Sequence, residues 1–375
     1  MALALLFAAC TNHGASTSRP PTTLSRTLTT TGSSTTVAPV SGPPTFQVVD
    51  LWFVEDRHGW VLGLDCPTPG ICRPGIRATD DGGRTWRKTG APPVEISSGE
   101  GGSGVSQIRF ADRSNGFVFG PRLFVTHDGA RSWAEGDVAG RVRELEAVGA
   151  SVWALRGESC SASPCPVQLV VSGDFGRTWG RAPVQPPVAG SPATLLRFGQ
   201  STVWLLSWNY GREGNSGGLI ITRDRGRSWH ELPNPCTPEY ATDERLGTSD
   251  GVHVWLLCAG QPGAGQQLKV LHRSPDGGAH WDAGRDAPSG GYVWNLAVSG
   301  LEREWLSLHR GTLQVTADGG ATWQAGIPYE VANAEDTGVG PVRFSDPSHG
   351  WVAGSSSVFR TIDGGAHWDG VRLPA

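Results

Sequence analysis

Several things are missing from this chain of 375 residues, and each omission removes a class of function. There is no basic excess: 31 Lys and Arg stand against 35 Asp and Glu, a net charge of −4. A nucleic-acid footprint needs a clear positive surplus, so no nucleic-acid partner is expected, while a local basic patch stays open. Beyond the first ten residues no apolar run is long enough to cross a bilayer. No phosphate loop, nucleophile elbow or His-Glu-x-x-His occurs. No Cys-x-x-Cys or His spacing fits zinc. The Asp-Gly-Gly segments lack the later ligands and closing Glu of a calcium loop. No metal and no cofactor is therefore expected.

Charge is also nearly absent from the first 45 residues, which hold only Arg19 and Arg26. Residues 1–10, MALALLFAAC, are apolar and end in small residues before Cys10. They resemble the end of a bacterial lipoprotein signal, with Phe7-Ala8-Ala9-Cys10 as its lipobox; an ordinary secretory signal or a stray hydrophobic N-terminus is the competing reading. Residues 11–45 are rich in Thr, Ser, Pro and Gly, too poor in large apolar side chains to offset ordering entropy, and read as a disordered tether. The expected organisation is a signal segment (1–10), a tether (11–45) and one folded unit (46–375). The expected location is exported, anchored to the membrane through a lipid on Cys10 or free outside it. Setting Cys10 aside leaves six cysteines. An even number in an exported chain suggests disulfides rather than metal ligation. Local closeness pairs Cys66 with Cys72 and Cys160 with Cys165, and elimination pairs Cys236 with Cys258.

What is abundant is repetition. The stretch Thr79-Asp80-Asp81-Gly82-Gly83-Arg84-Thr85-Trp86 has six further copies, ending at Trp133, Trp179, Trp229, Trp281, Trp323 and Trp368. The shared pattern is S/T-x-D-x-G-x-T/S-W, with the Trp residues 42 to 52 apart. That period, with β-rich flanks, predicts an all-β, seven-bladed propeller with one four-stranded blade per copy. The motif suits a hairpin tip between third and fourth strands. Its Asp (Asp81, Asp128, Asp174, Asp224, Asp276, Asp318, Asp363) can accept bonds from its own turn. The Gly two residues on supplies a positive φ. The second copy has Ala130 there, after Gly129, so its turn is expected to differ slightly. His280 and His367 replace the penultimate Thr or Ser in two copies. A second aromatic column runs through Trp60, Phe117, Trp153, Trp204, Trp255, Trp305 and Trp351. Thirteen of the sixteen Trp thus sit in repeat positions and read as core between blades.

Strand order sorts the loops. The motif turns share one face; loops between second and third strands, and between blades, share the other, which holds the long insertions. Binding residues on rigid scaffolds favour such loops. Trp208 with Tyr210, and Tyr292 with Trp294, are expected at this loop-bearing end as candidate binding aromatics. Arg109, Arg197 and Arg343 are read as equivalent inner-strand positions, just before Phe110, Phe198 and Phe344. They are candidates for meeting an anion in the channel or pairing with nearby acids.

The motif resembles the Asp-box, or bacterial neuraminidase repeat. The run Ile108-Arg109-Phe110-Ala111-Asp112 through Asn115-Gly116-Phe117-Val118-Phe119-Gly120 to the box is similar to repeats of photosystem II stability/assembly factors, and residues 46–375 share the resemblance. It implies an exported or membrane-associated seven-bladed scaffold without catalysis, whose partner is an envelope or membrane protein; nothing in it implies photosynthesis. Sialidases also carry Asp-boxes, but they imply six blades, an Arg-Ile-Pro start and a Tyr–Glu pair. Here Arg372-Leu373-Pro374 stands at the other end, and none of Tyr210, Tyr240, Tyr292 and Tyr329 has a Glu partner by spacing. The alternative is a glycoside hydrolase or glycan-binding module. A hydrolase would need two carboxylates at a fixed separation, and Glu95, Glu100, Glu213, Glu239, Glu330, Glu335 and Asp336 all fall on the loop-bearing face. No catalytic residue can be chosen from them.

Overall fold

Short runs of alternating side chains, cut by Gly, Asn and Asp turns, pair antiparallel into seven four-stranded sheets. The computed structural model describes residues 46–68, 71–97, 102–157, 167–187, 191–208, 218–309, 312–327 and 339–374. Each sheet is one blade, and each takes its four strands from consecutive sequence. The inner strands are Phe46–Phe53, Gln107–Phe110, Arg141–Val148, Ser191–Phe198, Asp243–Thr248, Tyr292–Val298 and Val342–Phe344. The architecture is the predicted seven-bladed propeller.

The core lies between blades rather than inside them. Each of seven apolar clusters joins two neighbouring blades. Trp204, Trp255, Trp305 and Trp351 of the second column are among the largest fully buried side chains. Burying a side chain of this class contributes about 1.5–3 kcal/mol. The column residue also lies under the next blade's box. Trp351 Nε1 donates to Gly82 O at 2.9 Å, and Trp204 Nε1 to Gly277 O at 2.9 Å. A Cβ on Gly365 would sit 2.1 Å from the Trp305 ring, so that position must stay Gly.

Ring closure follows the same rule. Phe53 of blade 1 stacks on Trp351 of blade 7 with centroids 3.6 Å apart. Arg77 Nε donates to Pro374 O and Val48 N to Ser355 O. Blade 7 is complete without a strand borrowed from the N-terminal side.

The boxes behave as the motif suggests. Thr79 Oγ1 accepts from Gly83 N at 2.9 Å and donates to Asp81 Oδ1 at 2.8 Å. Asp81 accepts from the amide and hydroxyl of Thr85 at 2.9 and 2.6 Å. His280 and His367 place Nδ1 2.6 Å from Asp276 and Asp363, the place of the missing hydroxyl. Hydrogen bonds from Thr178, side chain then backbone, hold the Asp174 carboxyl at about 2. The second copy corrects one expectation: Ala130 adopts φ 71°, and its amide donates to Thr126 Oγ1 at 3.1 Å, the same turn as the others. The bond network overrides the cost of left-handed backbone at a residue with Cβ.

Disulfides join Cys66 to Cys72 and Cys236 to Cys258. Cys10, Cys160 and Cys165 lie outside the described residues.

Candidate functional site

The inner strands surround a cavity of about 840 Å³. Its wall is set by register. The inner-strand residue paired across from each column aromatic faces the bore, and so does the residue two before it. The first tier pairs Trp52 with Trp60, Arg109 with Phe117, Glu146 with Trp153, Leu196 with Trp204, Gly247 with Trp255, Ala297 with Trp305 and Arg343 with Trp351. The second tier holds Asp50, Gln107, Glu144, Thr194, Arg245, Asn295 and Pro341.

This register separates the three predicted arginines. Arg109 and Arg343 are equivalent, but Arg197 is not: it pairs with Val203, one residue beyond the tier. That is the position of Phe110 and Phe344, which stack on Trp60 and Trp305 of the preceding blades. Arg197 does the same work, its guanidinium 5.4 Å from the Trp153 ring and its Nη1 donating to Ser151 O at 2.8 Å. Phe198 is displaced outward and is 39% exposed. A shift of one residue exchanges the faces of a strand, so adjacency to Phe misled the sequence reading. Counting eight residues back from the column aromatic gives Leu196, not Arg197, as the counterpart of Arg109.

Arg109 is 6% exposed and well paired. Its Nη1 donates to Asp50 Oδ2 at 3.0 Å and to Ile108 O at 2.8 Å. Its Nε lies 3.6 Å from Glu146 Oε1, and the guanidinium covers the Trp52 ring at 4.5 Å. Burial opposes its charge, but Asp50, Glu146 and Glu144 outweigh that and raise its pKa. Arg343 has fewer partners. Its Nε, like that of Arg109, is buried without a hydrogen-bond acceptor, but among the described residues no carboxylate lies within ion-pair distance of it, and its guanidinium lies 5.6 Å from the Trp52 ring. Burial, then repulsion from Arg109, holds it down to about 10. Burial pushes Glu144 up to about 7 against the pull of Arg109, and raises Glu146.

Sequence reasoning missed Asp50, Trp52, Glu144 and Glu146 as bore residues. The same count of eight finds Trp52; counting seven in blade 3, whose hairpin is shorter, finds Glu146. Of the loop carboxylates, Glu95 and Glu239 are exposed and line no part of the bore. Glu100, Glu213, Glu330, Glu335 and Asp336 lie outside the described residues.

The predicted aromatics divide in the same way. Trp294 lines the bore and stacks on His309 with centroids 3.7 Å apart. Arg245 Nε donates to Trp294 O, and its Nη1 pairs with the Asp243 carboxylate. Tyr292 instead supports a loop: its hydroxyl accepts from Gly265 N at 3.0 Å. The side chain of Trp208, and Tyr210 and Tyr329, lie outside the described residues. Beside Tyr292, Lys269 is 2% exposed and Nζ donates to the carbonyls of Gln267, Pro288, Ser289 and Gly291. Burial brings its pKa down to about 8. One ammonium thus ties the blade 5 loop to the blade 5–6 connection on the loop-bearing face.

No protein-family model matches the chain. It is 24% identical over 262 residues to the photosystem II assembly lipoprotein Ycf48 of Synechococcus sp. (strain CC9902), spanning 58% of this chain and 73% of that one. Among solved structures it is similar to YCF48 bound to D1 peptide, with a TM-score of 0.59 and 19% identity over 86% of this chain and 95% of that chain. It is also similar to YCF48 from Cyanidioschyzon merolae, with a TM-score of 0.59 and 16% identity over 88% of this chain and 98% of that chain. At such identities the likeness carries the fold. The repeated boxes, the seven self-contained sheets and this likeness together make the chain a seven-bladed Asp-box β-propeller that shares its fold with Ycf48.

Proposed function

We propose that this chain is an exported, lipid-anchored, non-catalytic propeller that holds a protein partner at the cell envelope through its loop-bearing face. The observation that carries the reading is the fold likeness to YCF48, which extends over 95% of a chain described as bound to a peptide. The similarity to a protein named as an assembly lipoprotein agrees with it. The lipobox-like segment ending at Cys10 and the following tether provide the anchor and reach. The face itself is suited to docking because the described loop around Gly265 is held rigid by Tyr292 and Lys269. A pre-ordered loop loses less entropy on binding.

The test uses the full chain, immobilised and exposed to detergent-solubilised envelope, followed by chemical cross-linking and reciprocal capture with the recovered protein. The expected result is one discrete partner whose cross-links map to the loop-bearing face. Retention of glycans alone, released by free sugar, would sink the reading in favour of a carbohydrate module.

A further inference from the structure

The bore contains a cation that the fold leaves unmet. Arg343 Nε is buried without an acceptor, and among the described residues no carboxylate lies within ion-pair distance of its guanidinium. Two of the three nearby acids, Asp50 and Glu146, are engaged with Arg109. Asp50 Oδ2 accepts from both Ile108 N and Arg109 Nη1, each at 3.0 Å. Glu146 lies beside Arg109 Nε at 3.6 Å. Arg343 is half-buried and open to the bore, and a charge partly withdrawn from water is tolerated when paired and costly when not. The guanidinium faces a cavity of about 840 Å³, within the range that admits small ligands.

We propose that the central bore holds an oxyanion subsite centred on Arg343, which takes the carboxylate or phosphate group of a small soluble ligand, and that Glu144 sets the pH range over which it binds. The guanidinium offers the planar fork of N–H donors that both groups fit. Burial and then the like charge of Arg109 disfavour its cation, against the pull of Asp50, Glu146 and Glu144, and a bound oxyanion offsets that cost. Glu144 is faced by Arg109, Glu146, Arg245 and Arg343 from four other positions on the wall. Asp50, Arg141, Arg143, Arg197 and His309 complete the titratable lining. Burial and Arg245 hold His309 below its usual range, so it is neutral above that range. Burial raises Glu144 to about 7, so below that pH it is neutral and leaves the bore more positive. Above it, the carboxylate competes with the ligand for Arg343. Oxyanion affinity therefore falls as pH rises through neutrality. This inference stands apart from the protein-partner reading, which concerns the loop-bearing face.

The experiment is calorimetric titration of the full chain with acetate and with inorganic phosphate, at constant ionic strength, at about pH 6 and about pH 8. Acetate carries the pH comparison because its own charge is constant across that interval. The expected result is saturable binding of at least one oxyanion, roughly tenfold weaker at the higher pH. Arg343→Gln should weaken it roughly tenfold or more, and Glu144→Gln should bind equally at both pH values. The stronger of the two titrants names the group the subsite prefers. Absence of saturable binding by either anion, or unchanged binding in Arg343→Gln, overturns the proposal. Should Arg343→Gln fail to fold by circular dichroism, Glu144→Gln decides: a pH dependence equal to that of the wild type overturns it.

Discussion

The shell between the blades and the wall of the bore are built from the same seven strand pairs, yet they obey different rules. In the shell each blade repeats itself: an aromatic at the column, a box above it, and an apolar cluster with the next blade. On the wall, the residues directly across those strand pairs are Trp52, Arg109, Glu146, Leu196, Gly247, Ala297 and Arg343, and no two neighbours match. The shell must repeat because every wedge between blades has the same shape to fill. The wall fills no wedge, so its side chains are free of that constraint. Departures from repetition in the shell should therefore cost stability, and changes on the wall should alter ligands.

The hardest test is at the closure. Trp351→Ala removes a ring that is 1% exposed, its stack on Phe53 and its bond to Gly82. Denaturant unfolding should show a loss of about 3–5 kcal/mol. A loss below about 1 kcal/mol would mean that the shell is not where stability resides. The next test restores a repeat. Glu304 occupies the position before its column Trp, where Val152, Val203 and Val254 stand in other blades; it is fully buried and both its carboxyl oxygens lack partners. Burial, then the charge of Glu302, pushes it up to about 8. Its folded value lies above the unfolded one, so the fold favours the protonated form. Stability is complete below the unfolded value near ~4.3 and is lost as pH rises through about 8. Glu304→Val should remove this decline and stabilise the protein by about 1–3 kcal/mol at alkaline pH. Equal pH profiles for the two proteins would refute it.

Arg197→Phe sharpens the distinction between Arg197, which lines the bore one register position off the tier, and Arg109 and Arg343, which stand in it. It installs the residue found at this register in blades 2 and 7, so stability should change by less than about 1 kcal/mol. Oxyanion binding in the bore should be unaffected; a loss comparable to that of Arg343→Gln would return Arg197 to the site. The smallest effect is expected on the rim. His280→Thr replaces an imidazole by the hydroxyl that serves in other boxes, and the melting temperature should not move measurably. A clear drop would show that the two groups are not interchangeable toward Asp276.

The blade count, the box turns and the aromatic columns were legible because each rests on local chemistry repeated seven times. An Asp, a Gly and a hydroxyl within seven residues close their own turn wherever they occur. The bore was only half legible. Arg109 and Arg343 could be picked out as charges inside apolar strands, but adjacency to Phe grouped Arg197 with them. Its strand keeps the eight-residue offset of blades 2 and 7, and only the Arg-Phe pair sits one residue later in it, which the count from Trp204 exposes. Glu144 and Glu146 read as ordinary acids of a polar strand because the shorter hairpin of blade 3 changes the count from eight to seven.

By itself, then, the sequence determined the number of blades, the faces on which loops and boxes fall, and which aromatics fill the interblade space, because these depend on neighbours close in the chain. Only the tertiary structure decided which charges meet. Arg109 finds Asp50, whereas Arg343 has no carboxylate within ion-pair distance among the described residues; these side chains lie 59 or more residues apart in the chain, and only the packing of blade on blade around the ring brings them into one bore.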